Sequence, residues 1–137
     1  MKRQKRGHII VISSIAGKFG FYLRSSYSAA KHALHGFFES LRLETEKFGI
    51  KILIVCPGKI RTNVSKNAIT ASGEKNDQEE KSINEGMSAA ECADRIISAL
   101  SSEKEEVLIG GKEILMVRIK NYLPLLFKKL IRKQSPY

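Results

Sequence analysis

Cysteine is scarce, long apolar runs are missing, and acidic residues are nearly absent from both ends of this 137-residue chain. The two cysteines, Cys56 and Cys92, stand far apart with no second pair, which argues against a disulfide framework and against a structural zinc site. A reducing, cytoplasmic setting suits such a chain, peripheral to a membrane at most. No apolar run approaches the roughly 18 residues that span a bilayer, and no internal repeat is visible. Residues 1–6 carry four Lys or Arg and no acid, and residues 112–137 carry seven against Glu113 alone. Thirteen bases and thirteen acids then remain in residues 7–111, so the net charge of +10 resides in the ends. A nucleic-acid binder spreads its basic stripe over the folded surface that meets phosphate, and this neutral body does not, so no nucleic-acid partner is expected.

What is present reads as one soluble domain, with 42% hydrophobic and 28% charged residues, too apolar for wholesale disorder. Residues 8–12, His-Ile-Ile-Val-Ile, form a continuous β-branched run, the pattern of a strand buried on both faces in a parallel sheet. The basic residues before it resemble a leader, but the run is too short and breaks at Ser13-Ser14. Residues 26–48 place Ala30, Ala33, Leu34, Phe37, Phe38, Leu41 and Phe48 at helical spacing, with Glu39, Arg42 and Glu46 assigned to the wet side and Gly49 as the stop. A second buried strand, residues 51–56, follows and closes at Pro57-Gly58. Strand, helix and strand in about 50 residues make a βαβ unit and point to an open α/β fold with a parallel sheet.

From Ser65 to Met87 the chain is polar and longer than an ordinary connection, which predicts a mobile loop. Ser88-Ala89-Ala90-Glu91 is a capping box, opening a helix whose buried stripe is predicted at Ala93, Ile96, Ile97 and Leu100. A third strand, residues 107–109, ends at Gly110-Gly111. The remainder, 112–137, is a basic amphipathic tail with Leu115, Ile119, Tyr122, Leu126 and Leu130 along one side and Pro124 as a kink or restart. That stripe suits either an anionic membrane surface or the protein's own core. His8, His32 and His35 read as surface or strand-edge residues, and the cysteines as small buried hydrophobes.

In open α/β sheets ligands bind beyond the carboxyl ends of the strands. Ser13-Ser14, the start of the long helix, and the segment from Pro57 to Thr62 converge there. Tyr27 and Lys31 stand four apart, one turn above the other on a single helix face. An ammonium that close to a phenol favours the ionised oxygen and makes it a usable proton donor and acceptor for carbonyl–alcohol interconversion. A serine hydroxyl at the neighbouring strand end can hold the carbonyl oxygen as charge develops on it. The Tyr-x-x-x-Lys pair alone is a weak signal, since lysine-rich chains produce it by accident. Its weight comes from the conjunction with Ser14 thirteen positions earlier, the helix beginning at that tyrosine, and the Pro-Gly that ends the next strand.

These segments, Val11-Ile12-Ser13-Ser14-Ile15-Ala16-Gly17, Tyr27-Ser28-Ala29-Ala30-Lys31 and Cys56-Pro57-Gly58-Lys59-Ile60-Arg61-Thr62, resemble the carboxyl-terminal half of a short-chain dehydrogenase/reductase. Residues 26–39 and Asn67-Ala68-Ile69-Thr70 are most similar to the branch holding the dehydrogenase/reductase member 7 proteins and the 11-beta-hydroxysteroid dehydrogenases. The resemblance covers residues 7 to about 110. It implies a partial Rossmann-type doubly wound parallel sheet over residues 1–111, with the loop 65–87 contacting substrate and 112–137 as a separate tail. By that resemblance Tyr27 exchanges the proton, Lys31 assists it and holds the nicotinamide ribose, and Ser14 orients the substrate carbonyl. Pro57, Gly58, Ile60 and Thr62 then line the NAD(P) cofactor, with NADP slightly preferred. The resemblance further implies a small-molecule carbonyl or alcohol as substrate, steroid, retinoid or lipid-like among the candidates, and a homo-oligomer formed through the helix 26–48. Nothing in residues 1–7 matches the family's opening strand, glycine-rich turn and helix, so the expectation is a truncated chain lacking the dinucleotide-binding half and inactive by itself. The alternative is a non-catalytic remnant that binds a membrane or partner through its tail.

Overall fold

The computed structural model describes residues 1–63, Gly73 and 85–134. The predicted loop 65–87 therefore lies largely outside the described residues, as does the Asn67-Ala68-Ile69-Thr70 stretch. Strand β1 is Gly7–Ile12, β2 Ile50–Pro57, β3 Ile60–Arg61, β4 Met87–Ser88 and β5 Glu106–Ile109. Helix α1 runs Ser25–Thr45, α2 Ala89–Ser101, α3 Ile114–Tyr122 and α4 Pro124–Arg132, with single 3-10 turns at Ile15–Gly17 and Glu46–Phe48. The main sheet is parallel in the order β1-β2-β5, with Ile9 opposite Ile52 and Cys56 opposite Leu108. A small parallel pair, β3 with β4, stands beside it.

Strand β2 is central and buried on both faces, which is why its sequence reads as an unbroken apolar run. One face packs Ile52, Ile54 and Cys56 with Val11 against Leu34, Phe38 and Leu41 of α1. The other packs Leu53, Val55 and Ile109 against Cys92 and Ala99 of α2. Gly49 ends the 3-10 turn that prolongs α1, at φ 64°, the left-handed conformation a non-glycine residue adopts only with strain, and a Cβ there would stand 2.4 Å from the Lys5 carbonyl oxygen. Helix α2 starts as expected, with the Ser88 hydroxyl accepting the Glu91 N–H at 3.1 Å. The Glu91 carboxylate pairs with Arg95 at 2.8 Å.

The helix stripes are rotated from their sequence-based positions. In α1 the sheet-facing side holds Ser28, Leu34, His35, Phe38, Leu41 and Thr45, while Ala30, Ala33 and Phe37 are exposed. Arg42 faces inward rather than to water: its guanidinium donates to the carbonyls of Ile52 (3.2 Å) and Glu105 (2.9 Å), crossing from helix to sheet. In α2 the packed residues are Cys92, Ile96, Ala99 and Leu100, and Ala93 and Ile97 are exposed. Small apolar residues flanking a stripe satisfy the same periodicity as the stripe itself, so only contact with the sheet distinguishes them.

His35, read from sequence as a surface residue, is buried at the centre of a polar cluster. Its Nε2 lies 3.1 Å from the Ser13 hydroxyl and 3.6 Å from the Cys56 sulfur. Ser13 in turn donates to the Lys31 carbonyl at 3.2 Å. With the single hydroxyl hydrogen so used, the ring donates from Nε2, and a neutral imidazole then has a bare Nδ1. That atom is buried without a hydrogen-bond partner, 3.5 Å from the Glu106 carboxylate and 3.7 Å from that of Glu39. Lys18 closes the cluster, paired with Glu106 at 2.6 Å. Burial and then the Lys18 ammonium lower the His35 pKa from 6.5, against the opposing pull of Glu106 and Glu39. Burial also pushes the Cys56 thiol up to about 12, so it remains protonated and unreactive.

A histidine held neutral when folded but titrating near 6.5 when unfolded favours the unfolded chain on acidification. Stability is expected to fall as pH drops from about 7.5 to about 5, above the range where carboxylates titrate. His35→Gln, which can still bond Ser13, should flatten that slope in thermal melts read across this window; an unchanged slope would reject the assignment. A second expectation concerns the sheet edge. Among the described residues β1 has a partner on one side alone, and Ile10 and Ile12 are 41% and 50% exposed, so this strand is covered on one face and not on both as its β-branched run predicts. An open edge of this kind pairs with other chains, so the purified chain should self-associate, and a monodisperse monomer at tens of micromolar or so would contradict this.

Candidate functional site

The carboxyl ends of β1 and β2 lie side by side, and the residues singled out from sequence divide between them. Ser13 continues the ladder beyond β1, its N–H bonded to the Val55 carbonyl at 2.8 Å. Ser14 then leaves the sheet and caps the 3-10 turn, its hydroxyl accepting the Ala16 N–H at 3.1 Å. The same hydroxyl points to the Pro57 carbonyl at 3.4 Å, a long bond that costs little to release. Ser14 is thus held beyond the end of β1 with its hydrogen on a long, easily released bond.

Lys31 reaches back from α1 to the end of β1, where its ammonium donates to the Ile12 carbonyl at 3.0 Å. That is the residue two before Ser14. The ammonium also stands 5.6 Å from the centre of the Tyr27 ring. Tyr27 is 43% exposed. Lys31 thus ties the first turns of α1, with the Tyr27 ring beside its ammonium, to the end of the strand that runs on into Ser13 and Ser14. An ammonium with one bond to a carbonyl keeps two N–H donors for other oxygens.

The β2 side is built around Pro57 and Gly58. The Gly58 N–H donates to the Ile109 carbonyl at 2.7 Å, which draws the turn against β5. Ile60 packs its side chain against the core cluster that holds Leu53 and Val55, while its strand pairs with β4 at Met87. Thr62 follows at the end of the described segment.

Two residues of this region were not found by sequence reading. Glu113 accepts the N–H of Lys59 at 2.8 Å and of Gly111 at 3.0 Å. Burial pushes its carboxyl up, but these backbone bonds outweigh it and hold the group below the ordinary carboxylate range. A Cβ on Gly58 would fall 2.3 Å from this carboxylate, so the approach needs a residue without one. His35 is the other. It stands four residues beyond Lys31, on the row that already contains Tyr27 and Lys31, and that continuation of the spacing was the available signal. For Glu113 the signal was weaker, a glycine pair leaving N–H groups open to an acid two residues on.

Comparison with known proteins identifies the family and the fold. Residues 1–73 match the family model described as short chain dehydrogenase. The dehydrogenase/reductase SDR family member 7B of Mus musculus is 40% identical over 136 residues, an alignment covering 98% of this chain and 42% of the mouse protein. The chain thus spans about two-fifths of that relative's length. A short chain dehydrogenase from Burkholderia cenocepacia J2315, solved in complex with NADP, superposes with a TM-score of 0.75 at 22% identity, covering 98% of this chain and 50% of that one. A short chain dehydrogenase/reductase from Burkholderia phymatum, solved in complex with NAD, gives a TM-score of 0.72 at 19% identity, covering 100% and 53%. At these identities the two structures speak to the fold, which is a Rossmann-type α/β architecture. With the family model matching more than half the chain, and a parallel sheet of the same architecture, this chain belongs to the short-chain dehydrogenase family of oxidoreductases.

Proposed function

We propose that Ser14, Tyr27 and Lys31 are the proton-transfer residues of an NAD(P)-dependent oxidoreductase that interconverts a carbonyl and an alcohol. The observation that carries this reading is the Lys31 ammonium, bonded to the Ile12 carbonyl at 3.0 Å and 5.6 Å from the Tyr27 ring, at the strand end from which Ser14 emerges. The anchoring carbonyl prevents the lysine from extending into solvent. Its charge thereby stays beside the phenol, where it offsets the negative charge that grows on the oxygen as the proton leaves.

In the reducing direction Tyr27 gives its proton to the substrate oxygen as that oxygen becomes an alkoxide. In the oxidising direction it takes the proton back. Ser14 turns its hydroxyl from the long bond to Pro57 toward the same oxygen and fixes the carbonyl plane. Bound NAD(P) supplies or accepts the hydride at the adjacent carbon. The donor set fits its ribose, since Lys31 has two unused N–H groups beside Tyr27. On the β2 side Pro57, Gly58, Ile60 and Thr62 would line the nicotinamide and phosphates of the bound cofactor. NADP rather than NAD, and a steroid, retinoid or other lipid-like substrate, rest on the family branch. The exposed row Ala30, Ala33 and Phe37 on α1 supports pairing of two copies through that helix. A cytoplasmic location accompanies this reading.

Turnover requires the dinucleotide phosphates to be held, and no described residue of this chain forms a glycine-rich phosphate turn after a strand. The 137 residues alone are therefore expected to oxidise no NAD(P)H with any of a panel of steroid, retinoid and aliphatic ketones. Joined behind the amino-terminal half of a short-chain dehydrogenase relative, the chain should gain such activity. In that chimera Tyr27→Phe should lower kcat by about 100-fold or more while leaving nicotinamide nucleotide binding, read by fluorescence, nearly unchanged. Equal kcat in the chimera and its Tyr27→Phe variant would overturn the proton-transfer role.

A further inference from the structure

The tail contains two apolar faces, and the one that packs is not the one the sequence emphasises. Val117 and Met116 of α3, with Phe127 and Ile131 of α4, pack on Ile15 of the 3-10 turn that follows β1 and on Phe19 just beyond it. The Phe19 and Phe127 rings meet edge-on at 5.3 Å, and the Lys120 ammonium donates to the Lys18 carbonyl. These contacts orient both helices on the body. The second face is left outward: Leu115, Tyr122, Leu123 and Leu125 are 55%, 81%, 55% and 77% exposed.

Cations frame that face. Lys128, Lys129 and Arg132 share the row of Leu125 at helical spacing, and Lys133 follows Lys129 one turn on. No carboxylate among the described residues pairs with these four. The single acid of the tail, Glu113, is already occupied by the N–H groups of Lys59 and Gly111. The tail thus presents uncompensated positive charge around exposed leucines and a tyrosine, on helices whose inner faces are already satisfied.

We propose that the outer face of α3 and α4 docks on an anionic lipid surface. A membrane interface accepts both components together: negative headgroups meet the lysines and arginine while the leucines and Tyr122 enter the acyl boundary. A nucleic acid offers phosphate but no apolar phase for four exposed side chains. Among the described residues no helix is long and apolar enough to cross a membrane, so the association is with the surface. The packing of Phe127 and Ile131 against Phe19 fixes which way the face points. This inference is independent of the redox reading, because none of its residues belongs to that site.

The test is co-sedimentation of the 137-residue chain with phosphatidylcholine vesicles, with and without about one-fifth phosphatidylserine, at low and high salt. Binding is expected to the phosphatidylserine vesicles alone and to weaken as salt rises. Lys128→Ala with Lys129→Ala should weaken it about 30-fold. Leu125→Ser should weaken it as well while leaving the salt dependence intact, and Tyr27→Phe should bind as the parent does. The substituted side chains lie on the outer face, and circular dichroism of each variant verifies its helix content. Equal binding to neutral vesicles, indifference to the double alanine substitution, or capture by heparin or duplex DNA without vesicle binding would each overturn the proposal.

Discussion

The structure depends on how the end of β1 is fastened to α1. The fastening runs in both directions. Lys31 donates from its side chain to the Ile12 carbonyl, and Ser13 donates from its side chain to the Lys31 carbonyl. Strand and helix are thereby locked in register at a single helical turn, which lies beside Ser14 and one turn from Tyr27. Ser13 is buried, so water is not there to replace its bonds, and losing either one leaves a polar group unsatisfied in the interior. Catalytic geometry within a few tenths of an ångström requires such support, because side chains on a loosely held helix would sample too many positions.

Behind this lock lies the cluster of His35, Cys56, Glu106 and Lys18. It draws on every element near the site: α1, β2, β5 and the turn after β1. Its charges are of mixed sign and largely paired, yet the imidazole has one nitrogen without a bond. An interior arrangement of this kind stabilises little and specifies much, since few other packings would satisfy the same groups. The same pattern recurs at Glu113, where backbone N–H groups from two separate turns close on one carboxylate and draw the β2 and β5 ends together. The crevice walls are therefore set by polar bonds, and the sheet behind them by apolar burial.

The tail shows how one amphipathic segment supplies two surfaces. Pro124 lacks an N–H and stands at the first position of α4, where that loss is harmless, so the segment restarts as a second helix after a break at Leu123. The break rotates α4 relative to α3 and lets Phe127 reach Phe19. One continuous helix would have carried the leucine stripe of the sequence as a single line.

Much of this molecule was legible from residue order alone. The β-branched runs at 8–12 and 51–56, Gly49, the Ser88 cap and Pro57-Gly58 act through local chemistry: backbone propensity, a left-handed stop, a side chain capping a helix, a missing donor. Each therefore appeared within a residue or two of its predicted place, and the Tyr27–Lys31 spacing follows from helical pitch in the same way. What tertiary structure decided was which of two plausible faces each helix buries and which polar residues meet across the fold. Ile97, Phe37 and the tail leucines fit a buried stripe as well as their packed neighbours did, and His35 and Arg42 looked like surface groups. Their partners, Ser13, Glu106, Ile52 and Glu105, lie far away in sequence or on other elements, and those contacts exist only once the sheet has brought them within reach.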